Sequence, residues 1–284
     1  MKSIETTFII PCYNEVPEVL NETVGKLQTA LSKVPHLKYE IIIINDGSNK
    51  YSYPEYNDEN VRLISQSLRK GYGASILSGM SYAQYGWIGI IDADGTYPAE
   101  LFPELIKHTD KFDMVVGERS WKDIELIKRP PKLILQKLSG FLANRTIRDL
   151  NSGMRLFKKH LVEKHVRVFP QGFSFTSTLT MICLTQFYEV KYVDIPYYKR
   201  VGLSNIAPIG DTLKFFMLVL RLSLYFNPLR FFIPLSLIIG FLGVVRGLRD
   251  ILVTNAFGGL TLILFFMAFQ VFFFGLIAEI INKK

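Results

Sequence analysis

The chain has 284 residues, 49% of them apolar and 20% charged, with 33 Lys/Arg against 25 Asp/Glu and a net charge of +8. This composition excludes a disordered chain, a collagen and a disulfide-stapled mini-protein, and it suffices for one domain of ordinary size with an appendage. The charges are unevenly spread: residues 1–228 carry 28 Lys/Arg and 23 Asp/Glu, whereas residues 229–284 carry only 5 and 2, a density that a membrane segment tolerates.

Met1 to Cys12 contains only a short apolar stretch before Pro11, so it lacks the hydrophobic region of a secretory signal. Residues 1–228 are therefore expected in the cytoplasm. Cys12 and Cys183, the only thiols, sit in apolar surroundings and fit a reducing compartment. From there β-rich runs alternate with helical stretches. Strands are expected at Thr6 to Ile10, Tyr39 to Asn45, Val61 to Ser65, Trp87 to Ile91, Met114 to Gly117 and Val190 to Ile195. Helices are expected at Pro17 to Ser32, Gly73 to Gln84, Pro98 to Thr109, Pro131 to Asn144 and Ser174 to Gln186. The alternation predicts an α/β domain with a mainly parallel sheet over residues 1–205, and the uninterrupted run Ile41-Ile42-Ile43-Ile44 suits a strand covered on both faces.

Beyond Arg200 the pattern changes. Residues 206–228 are read as a juxtamembrane amphipathic helix, because Leu213, Phe216, Met217, Leu220 and Leu224 share one face and Asp211, Lys214 and Arg221 another. Residues 229–284 are read as a membrane domain of two transmembrane helices. Ala256 to Ala278 carries no charge and is long enough to span. The preceding segment spans if its helix runs on towards Val253, with Arg246 pairing with Asp250 at i, i+4 near the far interface. Two crossings return Lys283 and Lys284 to the cytoplasmic side of the cell membrane. Gly240, Gly243, Gly258 and Gly259 provide small surfaces for helix packing and for a possible homo-oligomer.

The sharpest chemical signal is Asp92-Ala93-Asp94 after the apolar Ile90-Ile91. Carboxylates two residues apart at the C-terminal end of a parallel strand can share the crevice where such sheets bind ligands. Their repulsion is offset by a hard divalent cation, Mg²⁺ or Mn²⁺, which takes one or two carboxylates together with substrate phosphate oxygens. Two other strand ends carry polar groups, Pro11-Cys12-Tyr13-Asn14-Glu15 and Asn45-Asp46-Gly47-Ser48. Asn14, Glu15 and Asp46 can accept hydrogen bonds from a base or ribose, so three strand ends together describe a nucleotide site. His36, His108, His160 and His165 show no metal-ligand spacing, and no nucleic-acid-binding module is present.

On these residues, with Gly117-Glu118-Arg119 and Asp149-Leu150-Asn151-Ser152-Gly153-Met154-Arg155 in the same order, the chain resembles the family 2 glycosyltransferases. Within them it resembles the branch of dolichyl-phosphate mannose synthase and the bacterial polyprenyl-phosphate glycosyltransferases. The resemblance implies a GT-A nucleotide-diphospho-sugar fold and an inverting transfer from a UDP- or GDP-linked sugar. It implies that Pro11, Tyr13, Asn14, Glu15, Asp46 and Asp92 meet the nucleotide and that Asp92 and Asp94 hold the metal. It further implies that Arg119, Arg155, Arg200 and Ser204 serve the phosphates or the acceptor. The chain departs from the family pattern at Asn45, usually Asp, at Thr96, often Gln, and at Asn205, usually Lys.

Transfer to a sugar hydroxyl needs a general base. In many family members that base is an acid on the helix corresponding to Ser174 to Gln186, and here Phe173 to Tyr188 has no Asp or Glu, with Thr178 in that place. A phosphate monoester is already anionic near pH 7 and needs only cationic positioning. Asp149 stays open as a base. Lys128, Arg129, Lys132, Lys137, Arg145 and Arg148, interleaved with Ile134, Leu138, Phe141 and Leu142, suit an anionic headgroup surface. The expected activity is transfer to a polyprenyl phosphate at the cytoplasmic face. The rivals are transfer to an envelope-glycan hydroxyl with Asp149 as base, and a non-catalytic protein that binds nucleotide sugar.

Overall fold

The computed structural model describes residues 4–120, 129–170, 174–199, 217, 220–221 and 224–282. Lys128, Arg200, Gly202, Ser204, Asn205 and most of the expected helix over 206–228 lie outside them, as do the side chains of Arg129, Lys132 and Ile134.

Seven strands form one sheet: β1 (Ile4–Cys12), β2 (Leu37–Asn45), β3 (Val61–Ser65), β4 (Trp87–Ile90), β5 (Met114–Arg119), β6 (Arg155–Lys158) and β7 (Val190–Ile195), in the order β3-β2-β1-β4-β6-β5-β7. β6 runs antiparallel to β4 and β5, and every other pairing is parallel. The expected mainly parallel sheet is present, with β6 as an addition. Four residues between a Ser-Gly turn and a short helix are too few to show a periodicity in sequence.

The isoleucine run explains the layering. Ile41 and Ile43 of β2 pack with Leu20, Leu27 and Phe102, while Ile42 and Ile44 pack with Ile76, Phe175 and Leu179 on the opposite face. Each of the four is fully buried, which contributes about 1.5–3 kcal/mol per side chain. One layer consists of α1 (Pro17–Leu31) and α3 (Phe102–Ile106), and the other of α2 (Tyr72–Tyr82) and α6 (Phe175–Thr185). In α1, Leu20, Val24, Leu27 and Leu31 are buried at 3/4 spacing, and Pro17 occupies the first turn where its missing N–H costs nothing. The helix expected over Pro98 to Thr109 is a 3₁₀ turn, Ala99–Leu101, followed by the short α3.

α4 (Arg129–Ala143) divides its apolar residues between two environments. Leu142 and Ala143 are buried, with Leu138 partly so, against Met181 and Leu184 of α6, whereas Leu133 and Phe141 are exposed. α5 (Lys159–Glu163) follows β6 directly. The chain then ends in a helical hairpin, α7 (Pro228–Thr254) and α8 (Gly259–Asn282), of 27 and 24 residues. At 1.5 Å per residue these reach roughly 40 and 36 Å, enough to cross a bilayer. The first helix does run past Val253, and Arg246 Nε lies 3.2 Å from Asp250 Oδ1, as the i, i+4 spacing predicts. Asp250 Oδ2 also accepts from Gly258 N at 3.0 Å and Thr261 Oγ1 at 2.7 Å, which closes the turn between the two helices. Phe231 at the start of α7 packs on the Leu142 and Met181 cluster, and Arg230 Nη1 donates to Phe141 O at 3.0 Å. The hairpin is thereby fastened to α4.

Candidate active site

Parallel strands present their C-terminal ends along one edge, and the order β2-β1-β4 places the topological switch between β1 and β4. Cys12 pairs with Asn45 and Ile9 with Ile90, so the segments after β1, β2 and β4 leave the sheet side by side. Because β6 is antiparallel, its N-terminal end lies on this same edge. The loop 149–154 is thus brought beside Asp92, and the ends of β5 and β7 add Arg119 and Tyr197.

Asp92 and Asp94 are each held by specific donors. Tyr72 Oη donates to Asp92 Oδ1 at 2.9 Å, and an added Cβ at Gly153 would collide with the Asp92 carboxylate. Gly153 is therefore required for this close approach. Its N–H donates to Tyr97 Oη at 2.7 Å. Asp94 Oδ1 accepts from Thr96 Oγ1 at 2.6 Å and from Thr96 N at 3.1 Å, so the Thr at the position of departure fixes the second carboxylate. Burial pushes the Tyr197 hydroxyl pKa upward; Arg119 opposes this, and Asp94 and Asp92 add to it. Burial likewise raises Tyr72, with Asp92 adding. Both acids therefore act on the Tyr197 hydroxyl from one side of the crevice. Two hard carboxylates suit Mg²⁺ or Mn²⁺, and no cluster of three or more His, Cys, Asp or Glu fit to hold a metal occurs among the described residues. Substrate oxygens and water would complete the shell.

Arg119 and Asp149 form the other side. Arg119 Nε and Nη2 donate to Asp149 Oδ2 and Oδ1, both at 2.8 Å, and Nη2 also donates to Asn151 Oδ1 at 2.7 Å. The Asp149 side chain is 0% exposed and that of Arg119 12%. Burial disfavours the Arg119 charge, but Asp149, then Tyr97, hold its pKa well above the usual value. The guanidinium lies 5.3 Å from the Tyr197 ring centroid, and that ring meets Tyr97 edge-on at 5.2 Å.

Several of the residues expected at the ligand have partners within the protein. Arg155 is 0% exposed beneath the crevice, donating to Ser152 O, Thr176 O and Thr180 Oγ1. Strand alternation turns it towards α6, so it supports the 149–154 loop and does not reach a phosphate. Asn14, expected at the nucleoside, has φ 55° and spends its side chain on the neighbouring loop, with Oδ1 accepting from Asn49 N and Lys50 N and Nδ2 donating to Asn49 Oδ1. Asp46 is buried, and its two oxygens accept from Lys70 N at 2.7 Å and Gly71 N at 2.8 Å, which shapes the crevice wall. Asn45 closes its turn by accepting from Ser48 N. Pro11 is buried within β1. Tyr13 is half-buried, with the Arg69 guanidinium 4.1 Å above its ring, and Glu15 beside it is also half-buried. Sequence reading missed Tyr72, Tyr97, Tyr197 and the Arg69-Lys70-Gly71 loop. Aromatic residues just beyond Asp94 and beyond β7 were the available signal.

Residues 7–166, more than half of the chain, match the family described as Glycosyl transferase family 2. The chain belongs to this family. Residues 227–283 of this glycosyltransferase match a second family, the GtrB C-terminal hairpin, which coincides with α7 and α8. It is 26% identical over 251 residues to a dolichyl-phosphate beta-glucosyltransferase of Trichomonas vaginalis, covering 79% of this chain and 72% of that one. It is 25% identical over 270 residues to an undecaprenyl-phosphate 4-deoxy-4-formamido-L-arabinose transferase of Klebsiella pneumoniae, covering 89% and 78%. In fold it is similar to glucosyl-3-phosphoglycerate synthase of Mycobacterium tuberculosis solved with Mn²⁺, uridine diphosphate and glucosyl-3-phosphoglycerate. That likeness has a TM-score of 0.54 at 17% identity and covers 78% of this chain and 80% of that one. The same enzyme with Mg²⁺ and uridine diphosphate gives 0.55 at 15%, covering 78% and 79%. The glycosyltransferase is membrane-anchored through its two long apolar helices.

Proposed function

We propose that this glycosyltransferase moves a sugar, with inversion, from a nucleotide diphosphate to a polyprenyl phosphate at the cytoplasmic membrane face. One observation carries the choice of acceptor. α6 offers no acid, its Thr178 Oγ1 donates to Ser174 O, and the Asp149 carboxylate is taken by Arg119. Among the described residues neither α6 nor Asp149 offers a hydroxyl a free proton acceptor, whereas a lipid phosphate needs none. The names of the dolichyl- and undecaprenyl-phosphate relatives agree with this acceptor.

On the donor side, Tyr13 and Glu15 would face the nucleoside along the wall built by Asn14 and Asp46. Asp92 and Asp94 would hold Mg²⁺ or Mn²⁺, which supplies charge neutralisation for the departing diphosphate. Tyr72, Thr96 and Gly153 keep those carboxylates in place, and the buried Tyr97 braces the partly buried Tyr197 beside them. The lipid phosphate oxygen attacks the anomeric carbon as the bond to the nucleotide diphosphate breaks, in one displacement, with Arg119 orienting the attacking group. Arg200 and Ser204 are proposed as further phosphate contacts. The lipid would approach beside α4 and α7, where Leu133, Phe141, Lys137, Arg145 and Arg230 line a cleft of about 510 Å³.

The test supplies radiolabelled nucleotide sugars and polyprenyl phosphate to the full chain in membranes. The expected product enters organic solvent and releases its sugar in mild acid, as an anomeric phosphate does. Label confined to acid-stable or polymeric glycan would sink the reading.

A further inference from the structure

The Arg119–Asp149 pair assigns a role that neither the fold nor the family name specifies. A planar guanidinium has five N–H donors. Here Asp149 Oδ2 takes the Nε donor, Asp149 Oδ1 and Asn151 Oδ1 take the two on Nη2, and Nη1 has no partner among the described residues. The Arg119 backbone N–H also donates to Asp149 Oδ2 at 3.2 Å, so the carboxylate holds both ends of the residue. Tyr197 covers a face of the guanidinium and is itself braced by Tyr97. The group is thus fixed along one edge and over one face, and the edge carrying two donors on Nη1 is left.

We infer that Asp149, with Asn151, is a positioning residue that aims Arg119 Nη1 at the acceptor's phosphate, and is not the general base of the transfer. This rests on the phosphate-acceptor reading above. A carboxylate already accepting from Nε, Nη2 and two backbone amides, the second being Asn151 N at 3.3 Å, has its lone pairs directed at the protein. A base needs one directed at the incoming nucleophile. A clamp needs the arrangement observed, because a long side chain loses its rotamer freedom before the ligand arrives.

The experiment measures steady-state kinetics of the full chain in nanodiscs from pH 6 to 9, with the acceptor varied, for the wild type, Asp149→Asn, Asn151→Ala, Arg119→Ala and the Arg119→Ala/Asp149→Asn double variant. Loss of a charged hydrogen bond in the clamp predicts an acceptor KM raised about tenfold or more in Asp149→Asn, with kcat changed less. Asn151→Ala shifts the same constant in the same direction by less. The double variant is no worse than Arg119→Ala, because Asp149 acts only through Arg119. The acid limb of kcat/KM stays at its wild-type position. The inference is overturned if Asp149→Asn lowers kcat at constant KM, multiplies with the Arg119→Ala loss, or abolishes the acid limb. Should Asp149→Asn fail to fold, Asn151→Ala decides, and an unchanged acceptor KM rejects the clamp. Should the wild type transfer only to a glycan hydroxyl, the proposed function falls by itself, and the same cycle run on that acceptor still separates clamp from base.

Discussion

Arg155 is a buried cation held by carbonyl and hydroxyl oxygens, and burial pushes its pKa down. Arg155→Gln leaves Ser152 O and Thr176 O short of donors in the core. It should cost on the order of 3 kcal/mol, read as a lower Tm, where a pure phosphate ligand would change acceptor KM alone. Tyr72→Phe removes the donor on Asp92 but keeps the ring; activity should fall about tenfold and require more divalent cation, with Tm little changed. Cys12 gives a pH signature. Burial raises its thiol from 9.0 to about 11, so the folded state disfavours the thiolate. Its contribution to stability is complete below pH 9 and is lost as pH rises towards about 11, roughly 2–3 kcal/mol in all. Urea unfolding at pH 8 and pH 11 should show that loss in the wild type and not in Cys12→Ala. At this scale the structure groups Asp92, Asp94 and Arg119 around one crevice, while Arg155 is buried beneath it and Asn14 and Asp46 bond to neighbouring loops, which the sequence did not reveal. A residue type next to a strand end does not reveal which way its side chain turns, and hydrogen bonds to residues 21–35 positions away leave no local pattern.

Among the elements, strands announced themselves by apolar runs and their starts and ends fell within a few residues of expectation. β6 did not, because it is four residues long and its role is to turn the 149–154 loop back onto the ligand edge. α4 illustrates the limit of reading one face from spacing: Leu142 belongs to the domain core, while Phe141 next to it is exposed beside α7. The hairpin was legible from charge depletion and from the Arg246–Asp250 spacing. Its packing depends on small residues. A Cβ at Gly275 would lie 2.6 Å from Phe232 Cβ. Gly275→Val should therefore separate α7 from α8, seen as faster proteolysis within the hairpin in detergent, while an equally bulky change at Gly259, with no atom near its Cβ, should not.

For the whole molecule, the fold places a two-carboxylate crevice at the switch point of a parallel sheet and fastens that sheet through Phe231 and Arg230 to a membrane hairpin. A transferase that handles a water-soluble donor and a lipid phosphate needs both features in one body, since neither substrate leaves its own phase. Composition and charge distribution already separated the two parts; the pairing of Arg119 with Asp149, on which the proposed acceptor chemistry turns, required the three-dimensional arrangement. The most direct measurement follows ³¹P NMR of polyprenyl phosphate incubated with the purified full chain, a nucleotide sugar and Mg²⁺ or Mn²⁺. The lipid phosphomonoester resonance should convert to a sugar phosphodiester, and Asp94→Ala or a chelator should prevent the conversion. A phosphomonoester signal that persists while the sugar donor is consumed and a glycan grows would contradict the account.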